Sequence, residues 1–198
     1  MGLAAPARDE VLRLDPSHFL IAGAKRDLWR HPGNAALGVK VGRTQAGIRG
    51  NLDEWSALQR LAGGAMPALA GLVPQGGNLQ PTDQGLGLVV ELVREPDGTL
   101  SPSLKRVAEQ GPLPPALAAK IEAFCNLLIE AAVPLFDLNP RNLVARSLPG
   151  GGYRVHCIDV KSLGANREWT AGSSLSPFLL RRKLARRAAR LKAALGME

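Results

Sequence analysis

Three oxygen-bearing side chains in the second half of the chain are spaced as a divalent-cation site would need. Asp137 and Asn142 lie in one polar loop, Asp137-Leu138-Asn139-Pro140-Arg141-Asn142. Two apolar runs follow, starting at Leu143 and Tyr153. They flank the turn Pro149-Gly150-Gly151-Gly152, and the second ends at Asp159. That pattern predicts a β-hairpin. Antiparallel pairing would return Asp159 to the end of the hairpin that carries Asn142. A cluster of Asp, Asn and Asp oxygens suits a hard cation such as Mg²⁺, with phosphate as its usual companion.

A phosphate needs cationic partners, and the first half of the chain offers them. Lys40 sits between Val39 and Val41 in a predicted strand, so its side chain points to the face opposite theirs. Glu54 lies in the first turn of a helix predicted over 51–62, with Asn51 as its N-cap. A lysine paired with a carboxylate at a cleft can hold phosphate oxygens. The turn Gly23-Ala24-Lys25-Arg26 offers backbone N–H groups and positive charge for the same purpose. Each part also has an ordinary reading. A strand lysine is commonly solvated, Asp-x-Asn-Pro is common turn chemistry, an acid at a strand end is often a cap, and a single glycine often only makes a turn. The combination is more specific than any one part.

The elements that must position these residues read as two halves. Phe19-Leu20-Ile21-Ala22, Asp27-Leu28-Trp29-Arg30 and 35–41 predict a three-stranded meander, with a turn at His31-Pro32-Gly33-Asn34. Leu72-Val73-Pro74 reads as the start of a strand, and Gly76-Gly77-Asn78 and 81–85 as turns. Residues 86–93, apolar nearly throughout, predict a strand buried on both faces. The connector Arg94-Glu95-Pro96-Asp97-Gly98 follows. Beyond it, Ser101-Pro102 caps a helix over 104–110. Pro114-Pro115 opens a longer helix whose apolar residues Leu117, Ile121, Phe124, Cys125, Leu128 and Ala132 recur at helical steps, and Pro134 ends it. Residues 162–176 read as loop, and Pro177 opens a final helix to Leu195. This is an α+β, two-lobed layout, with a small lobe over 15–93 and a large lobe over 94–198.

The chain has 198 residues, 45% of them hydrophobic, enough for a core. No apolar run reaches the roughly 18 residues of a membrane span. The first ten residues lack a secretory pattern. The two cysteines, Cys125 and Cys157, read as buried free thiols, which together point to the cytoplasm. The formal charge is +8, and residues 181–192 carry seven basic residues and no acid, so the excess belongs mostly to the last helix. Its apolar side, Leu180, Leu184, Ala188, Leu191 and Leu195, predicts packing on the helical half with a solvated basic face. The alternative is an anionic surface or acidic protein as partner. His18, His31 and His156 have no metal-ligand spacing. His156 alternates in a strand and reads as structural, and His31 as a hydrogen-bonding turn residue.

The loop Asp137-Leu138-Asn139-Pro140-Arg141-Asn142, with Asp159 after the following hairpin, resembles the catalytic loop of protein-kinase-like folds. The closer resemblance is to the YrbL-like family of bacterial PhoP regulatory network proteins. It is carried by Ile21-Ala22-Gly23 with Arg26, Trp29-Arg30-His31-Pro32, Val39-Lys40-Val41, Gly85-Leu86-Gly87-Leu88-Val89-Val90-Glu91, Pro96-Asp97-Gly98, the loop, and Ile158-Asp159, and it runs from Asp15 to Leu163. It implies a compact bilobal kinase-like fold with ATP and Mg²⁺ between the lobes. Asp137 would orient the acceptor hydroxyl, Asn142 and Asp159 would hold the metal, and Lys40, paired with Glu54, would hold the phosphates. The departures are Leu135-Phe136 where a His-Arg pair would precede the loop Asp, Asn139 in place of a lysine, and Val160-Lys161 in place of Phe-Gly. Few residues follow Asp159, so the expected acceptor is a small molecule or envelope-related hydroxyl rather than a protein. The alternative is a catalytically inactive regulator that keeps the fold.

Overall fold

The computed structural model describes residues 11–165 and 176–197. Residues 1–10, residue 198, and the part of the expected loop over 166–175 lie outside them. The described chain begins with a 3₁₀ turn, Pro16–His18. Then come strands β1 (Phe19–Ala22), β2 (Arg26–His31) and β3 (Asn34–Gly42), helix α1 (Gln45–Ala62), and strands β4 (Gly76–Thr82) and β5 (Gly85–Glu91). These five strands form one antiparallel sheet in the order β1-β2-β3-β5-β4. After the connector come helices α2 (Leu104–Glu109) and α3 (Pro115–Glu130). They are followed by the hairpin β6 (Leu143–Ser147) and β7 (Tyr153–Cys157), then α4 (Lys161–Ala165) and α5 (Pro177–Ala194).

Alternation along β3 decides what the sheet presents. Val39 and Val41 enter a small core with Leu14, Trp29 and Val89 on one face. Lys40, which stands opposite Leu28 on β2 and Leu88 on β5, is left facing α1. The other face of the sheet joins the main core. Ala57 and Leu58 of α1 and Leu88 and Val90 of β5 pack in one cluster with Leu117, Ile121, Phe124 and Leu128 of α3, and with Leu143, Ala145, Val155 and Cys157 of the hairpin. Each such side chain fully buried contributes about 1.5–3 kcal/mol. On α5, Leu184, Ala188, Leu191 and Leu195 are buried, whereas Arg182, Arg186, Arg187 and Arg190 stay exposed. Among the described residues no helix is long and apolar enough to cross a membrane.

Several boundaries differ from the sequence reading. Helix α1 begins at Gln45, capped by the Thr44 side chain, which accepts from Gly47 N at 3.2 Å. Asn51 is therefore not an N-cap, and Glu54 sits well inside the helix. Gly47 and Gly50 conceal this first stretch, because glycine disfavours helix. Gly47 is there for contact: a Cβ on it would lie 2.3 Å from the Lys25 carbonyl oxygen. Gly76-Gly77-Asn78 is the start of β4, not a turn. Gly77, at φ 114°, lets the strand press onto α1, where a Cβ would meet the Leu58 side chain at 2.8 Å. Leu72-Val73-Pro74 is the loop before that strand. The cap of α2 is Ser103 rather than Ser101. Helix α3 stops at Glu130, short of Pro134, through Ala132 in the left-handed region at φ 50°. Residues 162–165, read as loop, belong to the short helix α4 (Lys161–Ala165).

Candidate functional site

The hairpin forms in the expected register. Leu143 pairs with Cys157, and beyond it Ile158 N donates to Asn142 O at 2.8 Å. Asn142 and Asp159 thus share one end. The preceding loop folds back so that Asn142 Nδ2 donates to Asp137 Oδ2 at 3.2 Å. From the sheet side, Lys40 Nζ reaches both partners that define the cleft. It pairs with Glu54 Oε1 at 2.7 Å and donates to the Ile158 carbonyl at 2.6 Å. Lys40, Glu54, Asp137, Asn142 and Asp159, drawn from β3, α1, the loop and the hairpin, are therefore assembled in one place.

Two cations not singled out for this cluster complete it. Arg26 enters from β2: Nη1 pairs with Glu54 Oε2 at 2.6 Å and Nη2 with Asp159 Oδ2 at 3.0 Å. With Lys40, it bridges the sheet side and the hairpin. Lys161 Nζ lies 2.5 Å from Asp159 Oδ2 and 3.6 Å from Asp137 Oδ2. Asn51, 0% exposed, accepts from Arg26 Nη1 at 3.2 Å. It also donates to the carbonyls of Lys40 at 2.8 Å and Leu86 at 3.2 Å, pinning α1 to the sheet. In the sequence Arg26 reads as charge beside Lys25 and as part of the family pattern, and Lys161 as a departure from a motif. A signal existed for both, because each is a basic residue within two positions of a turn or acid already singled out.

The electrostatics follow from this packing. Burial works against the Asp159 carboxylate, but Lys40, Arg26 and Lys161 outweigh it and hold its pKa below the usual carboxylate value. Burial likewise opposes the charge on Arg26, and Glu54 and Asp159 more than restore it, so its pKa is raised. Lys161 is raised against burial mainly by Asp159. Beneath the site, burial pushes the Cys157 thiol up to about 12. Cys125 and Cys157 are both free and buried, so neither offers a thiolate for chemistry.

Among the described residues neither Gly23 nor Lys25 bonds to this cluster, although their turn leads directly into Arg26. Their turn is tied to the start of α1, with Arg43 N donating to Lys25 O at 3.0 Å and the Arg43 guanidinium donating to the Gly23 carbonyl. Gly23 N is taken by Asp27 Oδ1 at 3.3 Å, and Lys25 is exposed. At the other side, Lys183 of α5 lies 3.9 Å over the Phe136 ring, next to Asp137.

A cation could be held by Asn142 and Asp159. Among the described residues no group of three or more His, Cys, Asp or Glu side chains is arranged to hold a metal. One carboxylate and one amide fit Mg²⁺ that arrives with phosphate oxygens and water, its usual mode. They do not fit a metal held by protein alone.

The sequence matches the family model described as PhoP regulatory network protein YrbL over residues 12–196. No curated protein matches it. Among solved structures, the kinase domain PF14_0431 superposes with a TM-score of 0.51 at 16% identity, over 85% of this chain and 56% of that one. This chain therefore spans little more than half of that domain. Rio2 kinase from Chaetomium thermophilum, solved as an ADP/Mg²⁺-phosphoaspartate complex, gives a TM-score of 0.46 at 13% identity, over 88% of this chain and 68% of its own. The fold is kinase-like.

Proposed function

We propose that this chain, which belongs to the PhoP regulatory network protein YrbL family, binds ATP with Mg²⁺ between its sheet and its hairpin and transfers phosphate to a hydroxyl. The observation that carries this reading is the convergence of Lys40, held at 2.7 Å by Glu54, on the hairpin end that bears Asn142 and Asp159. Lys40 would hold phosphate oxygens, and Glu54 keeps its ammonium aimed. Asn142 and Asp159 would hold the cation, which would neutralise charge on the phosphates. Asp137, partly exposed beside Asn142, would accept the acceptor's proton as its oxygen bonds to the γ-phosphorus and the β–γ bridging P–O bond breaks.

The test is thermal stability in ATP with and without Mg²⁺. A ligand at about 100 times its Kd adds on the order of 2.7 kcal/mol. No shift in either condition would sink the proposal. Given a shift, Asp137→Ala should keep binding and lose turnover, and equal ATP consumption by wild type and variant would reject Asp137 as the base.

One observation favours a second reading, a nucleotide-binding regulator without transfer. Asp159 Oδ2 already holds Arg26 and Lys161, and Lys161 spans Asp159 and Asp137 where an acceptor would approach. Saturable ATP binding with no phosphorylated product from any hydroxyl acceptor class would select this reading.

A further inference from the structure

Away from this cluster, the same hairpin borders a cavity of about 380 Å³. Its walls are the loop before β4, the connector after β5, and Arg146, Arg154 and His156. None of Arg26, Lys40, Glu54, Asp137, Asn142, Asp159 or Lys161 lines it. A volume of this size is that of a small-molecule site.

Its charges are unbalanced in an unusual way. Arg146 and Arg154 stand directly opposite each other on β6 and β7. Like charges in that position repel, and neither has a carboxylate within ion-pairing distance among the described residues. Two acids also line the cavity, but both are committed. Glu91 Oε2 accepts from Gln75 N at 3.0 Å, and Glu95 accepts from Ser147 N at 3.1 Å and Ser101 Oγ at 2.5 Å. His156 is only 7% exposed, and both of its ring nitrogens are buried without a hydrogen-bond partner. Arg146 Nε and Arg94 Nε are buried and unpaired as well. Native interiors leave few such groups unsatisfied, and each calls for a partner. Here four unpaired nitrogens, on β6, β7 and the connector, belong to residues that line one cavity.

We propose that this cavity binds a small phosphate-bearing metabolite, with Arg146 and Arg154 on its oxygens and His156 donating an N–H to it. Two guanidinium forks on adjacent strands supply two positive charges and planar pairs of donors, matched to a dianionic phosphate. A carboxylate, with one charge and one plane of oxygens, would leave part of the set unanswered.

The experiment titrates the full chain with inorganic phosphate, following thermal stability against chloride and acetate at equal ionic strength. We expect a saturable rise specific to phosphate, retained in Lys40→Ala. In Arg154→Gln the phosphate Kd should weaken by about tenfold or more, the size expected for a lost hydrogen bond to a charged group. An equal rise with chloride or acetate, or an unchanged Kd in Arg154→Gln, would overturn the proposal. A rise lost in Lys40→Ala but kept in Arg154→Gln would also overturn it, by placing the phosphate in the other cleft. Should Arg154→Gln fail to fold, the wild-type imidazole NMR signal of His156, assigned by substituting His18 and His31, decides. It moves saturably with phosphate if the cavity binds, and its indifference to phosphate rejects the site.

Discussion

The loop end of the β6–β7 hairpin and its connector-side face treat charge in opposite ways. At the loop end, each of the three clustered cations has an acid: Lys40 and Arg26 share Glu54, and Arg26 and Lys161 share Asp159. At the connector face, Arg146 and Arg154 face each other without an ion pair among the described residues, over a histidine with no hydrogen bond, and the nearby Glu91 and Glu95 accept hydrogen bonds from other groups. A neutralised cluster stores its own stability, and a ligand entering it must exchange partners. An unbalanced cluster contributes little by itself and gains only when a ligand supplies the missing charge. The first arrangement can hold its geometry without a ligand, and the second gains its counter-charge from outside.

Substitutions should separate the two regions by size. Glu54 is 1% exposed and compensates two cations. Glu54→Ala should cost about 3–5 kcal/mol, the usual penalty for breaking a buried pair, measured by urea denaturation. A loss below about 1 kcal/mol would mean that Arg26 and Lys40 are solvated and that the cluster is not the unit described. Asp159→Asn comes next. It leaves Arg26 and Lys161 with a weaker acceptor, so about 1–3 kcal/mol is expected. The Mg²⁺-dependent part of any ATP shift should also disappear, read by the same melts with and without the metal.

Arg154→Gln should change the phosphate-free stability by no more than about 0.5 kcal/mol, because the wild-type residue has no acid to lose. A cost near that of Asp159→Asn would erase the contrast between the two regions. The finest test is pH. Burial, then Arg146 and Arg154, lower the His156 pKa below its ordinary value. The folded state therefore prefers the neutral ring. Its stabilising share is complete above the unfolded value of about 6.5 and is lost as pH falls toward the folded value. His31, lowered by burial, acts in the same direction. Melting temperature should thus decline on acidification below neutrality, less steeply in His156→Gln, and phosphate should flatten the wild-type slope. An identical slope in His156→Gln would show that the ring is already solvated.

How much of the site was legible varied with distance along the chain. The hairpin and the proximity of Asn142 to Asp159 followed from alternation and a glycine turn, both local. The facing of Lys40 followed from the period of two in β3. The extent of α1 did not, since Gly47 and Gly50 read as helix breakers while the structure uses Gly47 for close contact with the Lys25 carbonyl. As a result Asn51, which bonds Arg26, Lys40 and Leu86, reads as a cap in the sequence. His156 read as structural in a strand, and the structure does bury it, but without the partners a purely structural role would supply. Arg26 and Asp159 meet across 133 residues, and no local pattern reports a contact of that separation.

By itself, then, the sequence determined the β-rich then α-rich order apart from β4 and α4, the hairpin that returns Asp159 to Asn142, and the family motif that spans both halves. These depend on side-chain periodicity, turn residues and residue chemistry, which act over a few positions. Only the tertiary structure decided which cation neutralises which acid, and which cations are left over. Hydrogen bonds act within about 3 Å and ion pairs within about 4 Å. The packing of α1 on the sheet and of the hairpin beneath both sets those distances, and with them the difference between a cluster that is closed and a cavity that is open to an anion.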